Sequence, residues 1–227
     1  MPDGSTPPLI PTVKDDGTIR HIPSSDSTFT LTQVRNGFDP ADWHPGDHGP
    51  MPDIVAHGKK PNVMACALCH YSNGKGRPEN AGISDLPVVY FIQQMNDFKS
   101  GARTSAEPRK TNAIRMEGFA KDMNDDEIKA AAEYFATIPW TPWIKVVESE
   151  TVPKFRITAG LFLKLEGNER EPLGNRVIEL ADMARQIYDI QHGFRKGPSA
   201  QLMQKAVENL TSDDIVAIIA YVASLNP

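Results

Sequence analysis

Five consecutive residues, Cys66-Ala67-Leu68-Cys69-His70, constrain this chain more than any other feature. The C-x-x-C-H spacing places two thiols and an imidazole on one turn, the pattern for covalent attachment of a c-type haem. The thiols add across the haem vinyl groups, and the adjacent histidine is positioned to ligate the iron. Competing readings fit poorly. A structural zinc site takes four ligands, and the chain has 2 cysteines. A disulfide across so small a loop stabilises little, and no βαβ pattern surrounds the motif as in thioredoxin-like redox sites.

The remaining composition bounds the setting. In 227 residues there are 19 prolines and 16 glycines, with 40% apolar residues. This points to a globular chain with long irregular stretches. No run of eighteen apolar residues exists, so no transmembrane helix is expected. The start, MPDGSTPPLI, has neither a basic head nor an apolar core. Haem of this kind is attached outside the bacterial inner membrane, so the expectation is a periplasmic protein with its signal peptide removed. The net charge of −5 disfavours a nucleic-acid partner. Yet nine basic residues face four acidic ones between Ala56 and Arg115. That leaves two readings: a solvated surface, or a basic rim steering an acidic redox partner.

Periodicity and breakers divide the chain. Residues 1–50 read as an extended N-terminal arm, with one short strand over Thr28–Val34. A first helix is expected near Asp53–Gly58, and Tyr71–Pro87 reads as a loop. Pro87 then opens a helix from Val88 to about Lys99, ended by Gly101. Asn124-x-x-Glu127 announces another, running to about Thr137. Trp140–Glu171 reads as a linker of extended character. Two last helices span about Ser199–Asn209 and Ser212–Leu225, the latter capped by Thr211-x-x-Asp214.

The chain also repeats itself. Met116 set over Met203 continues without a gap to Ile138 and Leu225 at a constant offset of 87, with identities at Asp126/Asp213, Ile128/Ile215 and Tyr134/Tyr221. FKSG at Phe98 echoes FRKG at Phe194. The second copy has no cysteine, so a duplicated unit that has lost one haem site is expected. The boundaries are 51–139 for a haem-binding domain, 140–175 for a linker and 176–227 for a degenerate haemless lobe.

Through CALCHYSNGKGRPENA, YFIQQMNDFKSGAR, MEGFAKDMNDDEIKAAAEYFA, WIKVVESETVPK and LTSDDIVAIIAYVASLNP, the chain resembles the two-domain, dihaem class I cytochromes c of bacterial periplasms. The resemblance covers roughly Phe38 to Pro227. It implies an all-α fold: a class I cytochrome c domain plus a cytochrome-like lobe, here without its haem. It also implies Met116 as the axial sulfur ligand and Arg103 beside the haem.

The site expectation is thus Cys66 and Cys69 as thioether anchors, His70 and Met116 as iron ligands, and one haem c. The second nitrogen of His70 should donate to a backbone carbonyl, with Pro78 in the right loop to supply it. Arg103, Tyr90, Gln94 and Trp43 are candidate propionate partners. His44 and His48 are rival ligands, and His57, His21 and His192 carry no spacing signal. Met51, Met64, Met95, Met123 and Met203 read as core or as wrongly placed.

A closed His/Met iron suits single-electron transfer, not catalysis. The expected partners are a periplasmic dehydrogenase and a downstream cytochrome or oxidase, with the chain free or bound as a subunit. The alternative is an open-iron haem enzyme, peroxidase-like, or a gas or redox sensor.

Overall fold

The computed structural model describes residues 14–77, 80–106, 111–142, 147–158, 161–173 and 181–224. The protein is mostly helical. Helices α1 (Leu31–Val34), α2 (Asp53–Ala56) and α3 (Cys66–His70) are short, whereas α4 (Val88–Ser100), α5 (Thr111–Asp122) and α6 (Asp125–Ala136) build the first lobe. Strands β1 (Thr151–Pro153), β2 (Phe155–Thr158), β3 (Leu161–Lys164) and β4 (Arg170–Pro172) follow, and then α7 (Ala181–Gln191), α8 (Pro198–Val207) and α9 (Ser212–Ser224).

Local chemistry explains the main boundaries. Asn124 accepts from the Glu127 N–H at 2.8 Å, and the Glu127 carboxylate accepts from the Asn124 N–H at 2.8 Å, a reciprocal capping box. Three acidic residues then fill the first turn of α6, where the helix dipole favours negative charge. Ile128, Ala131, Ala132 and Phe135 recur on one buried face. That face packs against α4, which offers Phe91, Met95 and Phe98 to the same core. Gly101 ends α4 at φ +76°, a left-handed position that costs glycine little.

Three segments differ from the sequence reading. The strand expected over Thr28–Val34 is instead a bridge at Phe29 followed by α1. Thr30 and Gln33 form a capping box that outweighs the β-branched composition. The stretch containing Met116, to which the sequence reading assigned no element, is the helix α5, held by packing against α4. Part of the expected linker forms two antiparallel pairs, β1 with β4 and β2 with β3, and Lys154 bonds Glu169 at 2.7 Å beside them. The extended Ile144–Val146 part of that linker lies outside the described residues.

The arm is tied down rather than trailing. Asp42 accepts from the Ser72 hydroxyl at 2.7 Å and lies 2.9 Å from His48 Nε2. Gly37 accepts from the Ala65 N–H at 2.9 Å. Both contacts fall on the segment that carries Cys66 to His70.

The turns that follow α4 and α7 are built alike and meet each other. Gly101 and Gly193 each donate to a carbonyl three residues back at 3.2 Å, and Arg103 and Arg195 each donate to an aspartate carbonyl, Asp97 and Asp189, at 3.0 and 3.3 Å. The correspondence pairs Gln94 with Gln186 and Arg103 with Arg195, an offset of 92. The FKSG/FRKG echo was therefore out of register by four residues. The connection on to the methionine is five residues shorter in the second copy. Across the junction, Arg103 and Arg195 form an antiparallel bridge, Thr104 donates to Phe194 and Lys196 to Ala102.

Candidate haem site

On α3, Cys66, Cys69 and His70 occupy positions i, i+3 and i+4, which share one helix face. The chain leaves that helix abruptly: Tyr71 takes φ +58°, a strained value for a residue with a side chain. The turn that follows brings the Gly76 N–H to the His70 carbonyl and the Arg77 N–H to the Cys69 carbonyl at 2.9 and 3.0 Å. Gly74 is required here, because a Cβ would lie 3.1 Å from the Phe135 ring and 2.9 Å from the Ser84 nitrogen. The loop thus folds back and sets the Ala81 carbonyl 2.8 Å from His70 Nδ1.

An Nδ1–H donated to that carbonyl fixes the tautomer whose lone pair sits on Nε2, the arrangement of a metal-ligating histidine. The expected backbone acceptor is therefore found at Ala81. Pro78, the residue singled out for it, lies outside the described residues.

A cavity of about 270 Å³ opens over this face. Cys66, Cys69 and His70 form one wall. Ile83, Leu86, Phe91 and Phe98 supply apolar sides, and Met116 and Phe119 of α5 line it as well. Tyr90, Gln94 and Arg103 also line it, so these three candidates share the cavity with the cysteines and histidine. Arg103 Nη1 donates to Gln94 Oε1 at 3.0 Å, and its guanidinium lies 4.3 Å from the Phe98 ring centroid.

Trp43 is elsewhere, edge-on to Phe29 at 4.8 Å with its carbonyl bonded by Ser25. His48 is taken up by Asp42 and the Gly49 carbonyl. His57 lies beside Asp39, and His192 stacks on Tyr188. None of these, nor His21 or His44, lines the cavity among the described residues.

Among the described residues, four methionines line it. Met95 and Met123 are buried in the core cluster. Met64, which the sequence reading set on the wrong side, also reaches the cavity, and its sulfur packs near Gly37. Met116 is half-buried against the core edge.

Burial pushes the Cys66 thiol up to about 12. Its Sγ lies 3.4 Å from the Ile54 carbonyl. A thiol held protonated in this way is a poor redox nucleophile. The residues present suit a covalently held haem instead: two thiols, an oriented imidazole, thioethers and apolar walls around one cavity.

Sequence reasoning missed several lining groups. Asn112 donates to Asn80 at 2.9 Å, and Asn80 to the Cys69 carbonyl at 3.3 Å, which latches α5 to the motif loop. Gln186 and Asp189 reach the cavity from the second lobe. The repeat pointed there, and correct register would have found them.

Residues 55–139 match the cytochrome c family. This segment is a cytochrome c domain. The chain is 28% identical over 188 residues to a protein of Stutzerimonas stutzeri described as a thiosulfate dehydrogenase electron acceptor, covering 74% of this chain and 82% of the relative. It is 22% identical over 179 residues to cytochrome c4 of Pseudomonas aeruginosa, covering 72% and 85%.

Among solved structures, a thiosulfate dehydrogenase of Marichromatium purpuratum superposes with a TM-score of 0.48 at 18% identity, over 75% of this chain. The chain spans 38% of that longer protein. Cytochrome c4 of Pseudomonas stutzeri gives 0.45 at 19% identity, over 71% of this chain and 93% of that one. The matched segment holds the end of α2, α3 to α6, and every cavity-lining residue from Val63 to Ala131. No described helix is long and apolar enough to cross a membrane.

Proposed function

We propose that the chain is a monohaem c-type cytochrome that carries single electrons between a periplasmic dehydrogenase and a downstream acceptor. The observation that supports this best is the convergence of Cys66, Cys69, His70 and Met116 on one apolar-walled cavity. When bound, haem c supplies one-electron Fe(III)/Fe(II) chemistry. The chain does the rest. Cys66 and Cys69 anchor the group as thioethers, and His70, oriented by Ala81, provides the imidazole ligand. Met116 would provide a thioether sulfur ligand, which raises the potential. Ile83, Leu86, Phe91 and Phe98 keep water out, which limits reorganisation and tunes the potential. Arg103, held by Gln94, faces the cavity as a propionate partner, with Tyr90 near the rim.

In this reading residues 51–139 are the haem domain and 176–227 a haemless lobe descended from the same unit, with 140–175 between them and 1–50 as the arm. The protein works as a carrier and turns over no substrate. The relative described as an electron acceptor of thiosulfate dehydrogenase favours a dehydrogenase donor of that kind.

Maturation with haem in a host that exports and attaches it, followed by stopped-flow mixing with a reduced periplasmic dehydrogenase, tests the assignment. Fast, salt-sensitive reduction is expected. Peroxidase turnover with an open iron would replace this reading with the enzyme reading.

A further inference from the structure

Met116 lies on α5, and the chain approaches that helix through Ala102–Ala106. This approach is held from the second lobe. The Thr104 N–H and hydroxyl both donate to the Phe194 carbonyl, at 2.9 and 3.1 Å. The Lys196 N–H donates to the Ala102 carbonyl at 2.6 Å. One further bond is made by a side chain: Asp189 Oδ1 accepts from the Ala106 N–H at 3.0 Å. Asp189 is 6% exposed and lines the cavity together with Thr104 and Met116.

A backbone N–H bonded to a carboxylate is held more firmly than one bonded to a neutral oxygen. Five positions beyond Ala106, Thr111 opens α5. That helix buries only Ala120 fully, so an anchor at its approach adds to what packing supplies. The first lobe carries the same device in reverse. Asp97, the counterpart of Asp189 at the offset of 92, is also buried. Its carboxylate lies where a Cβ on Gly197 would collide with it, directly before α8. Each lobe thus sets a buried aspartate against the segment that leads into the other lobe's next helix.

We infer that Asp189 is a positioning residue for the Met116 sulfur: from the second lobe it anchors Ala106, fixes the approach to α5 and keeps the thioether available to the iron. This rests on the reading of Met116 as an iron ligand. It gives the second lobe a use, which is to keep the iron of the first closed.

The test uses the haem-loaded full chain and the variants Asp189→Ala, Asp189→Asn and Ile219→Val. Imidazole titrated into the ferric protein competes with the sulfur, so its affinity reports how firmly Met116 is held. Loss of the far-red sulfur-to-iron band follows the same exchange. Asp189→Ala should keep its haem and bind imidazole about tenfold more tightly, the change expected from losing one buried hydrogen bond. Asp189→Asn retains an oxygen acceptor and should recover most of the difference. Ile219 is fully buried in the second lobe. Ile219→Val should lower the melting temperature and leave the imidazole affinity unchanged.

An unchanged affinity in Asp189→Ala overturns the inference. So does an equal shift in Ile219→Val, which would make the effect a general softening of the lobe. Asp189→Asn matching Asp189→Ala overturns it as well, because the charge and not the bond to Ala106 would then be acting. If Asp189→Ala does not fold, Thr104→Val removes the hydroxyl bond to Phe194 and must shift the affinity in the same direction. No shift there overturns the inference. A wild type without the sulfur-to-iron band would instead sink the Met116 reading on which the inference rests.

Discussion

His70 points its Nδ1 at the carbonyl oxygen of Ala81, eleven positions further along the chain, from 2.8 Å. One bond thus ties the orientation of the imidazole to the conformation of the entire 70–81 loop. Replacing His70 by Ala leaves both thioether anchors in place. The variant is expected to retain covalent haem on a denaturing gel while its visible spectrum turns high-spin. Loss of the covalent haem itself would show that His70 acts in attachment, not ligation.

Met116 sits on α5 and lines the cavity that the motif also lines. Met116→Ala should open the iron to carbon monoxide and lower the potential by a sizeable part of the roughly 0.8 V range that axial ligands span. A spectrum that keeps its sulfur–iron band would transfer the role to Met64, the other cavity-lining methionine outside the buried core cluster.

Tyr134 donates its hydroxyl to the Ser72 carbonyl at 2.7 Å, stapling α6 to the segment just after the motif. Tyr134→Phe leaves that buried carbonyl unsatisfied, a cost of about 1–3 kcal/mol. For a chain of this size the melting temperature should fall by about 2–4 °C per kcal/mol. The counterpart Tyr221 is 64% exposed. Tyr221→Phe is therefore expected to change the melting temperature far less.

The cap of α9 predicts an acid response. The Thr211 hydroxyl, then its N–H, hold Asp214 below its ordinary 3.8. A carboxyl depressed on folding contributes above the unfolded value and loses that contribution as pH falls through the folded one. Helix α9 should therefore loosen only below pH 3.8. Circular dichroism of Asp214→Asn should show a weaker cap at neutral pH and a smaller acid-induced change than the wild type.

Much of this was readable from side chains alone. The motif, the α4 and α6 boundaries and the Asn124 and Thr211 caps carry their own chemistry, so spacing sufficed. The acceptor at Ala81 was not readable, because a backbone carbonyl has no sequence signature and only the fold of the loop selects it. Helix α5 escaped notice because Thr111–Asp122 buries only Ala120 fully and lacks a clear apolar stripe. Its helicity comes from packing. The junction between the turns after α4 and α7 was missed for a different reason. The eye aligns Phe98 with Phe194, whereas the hydrogen-bonded turns align Gly101 with Gly193, and only that register sets the two arginines face to face.

The most direct test of the account is the visible spectrum of the haem-matured protein in both oxidation states, with haem counted per chain. The account predicts one haem, low-spin in both states, with the weak far-red sulfur-to-iron band and no response to carbon monoxide. Two haems per chain, or a high-spin iron that binds carbon monoxide, would contradict it.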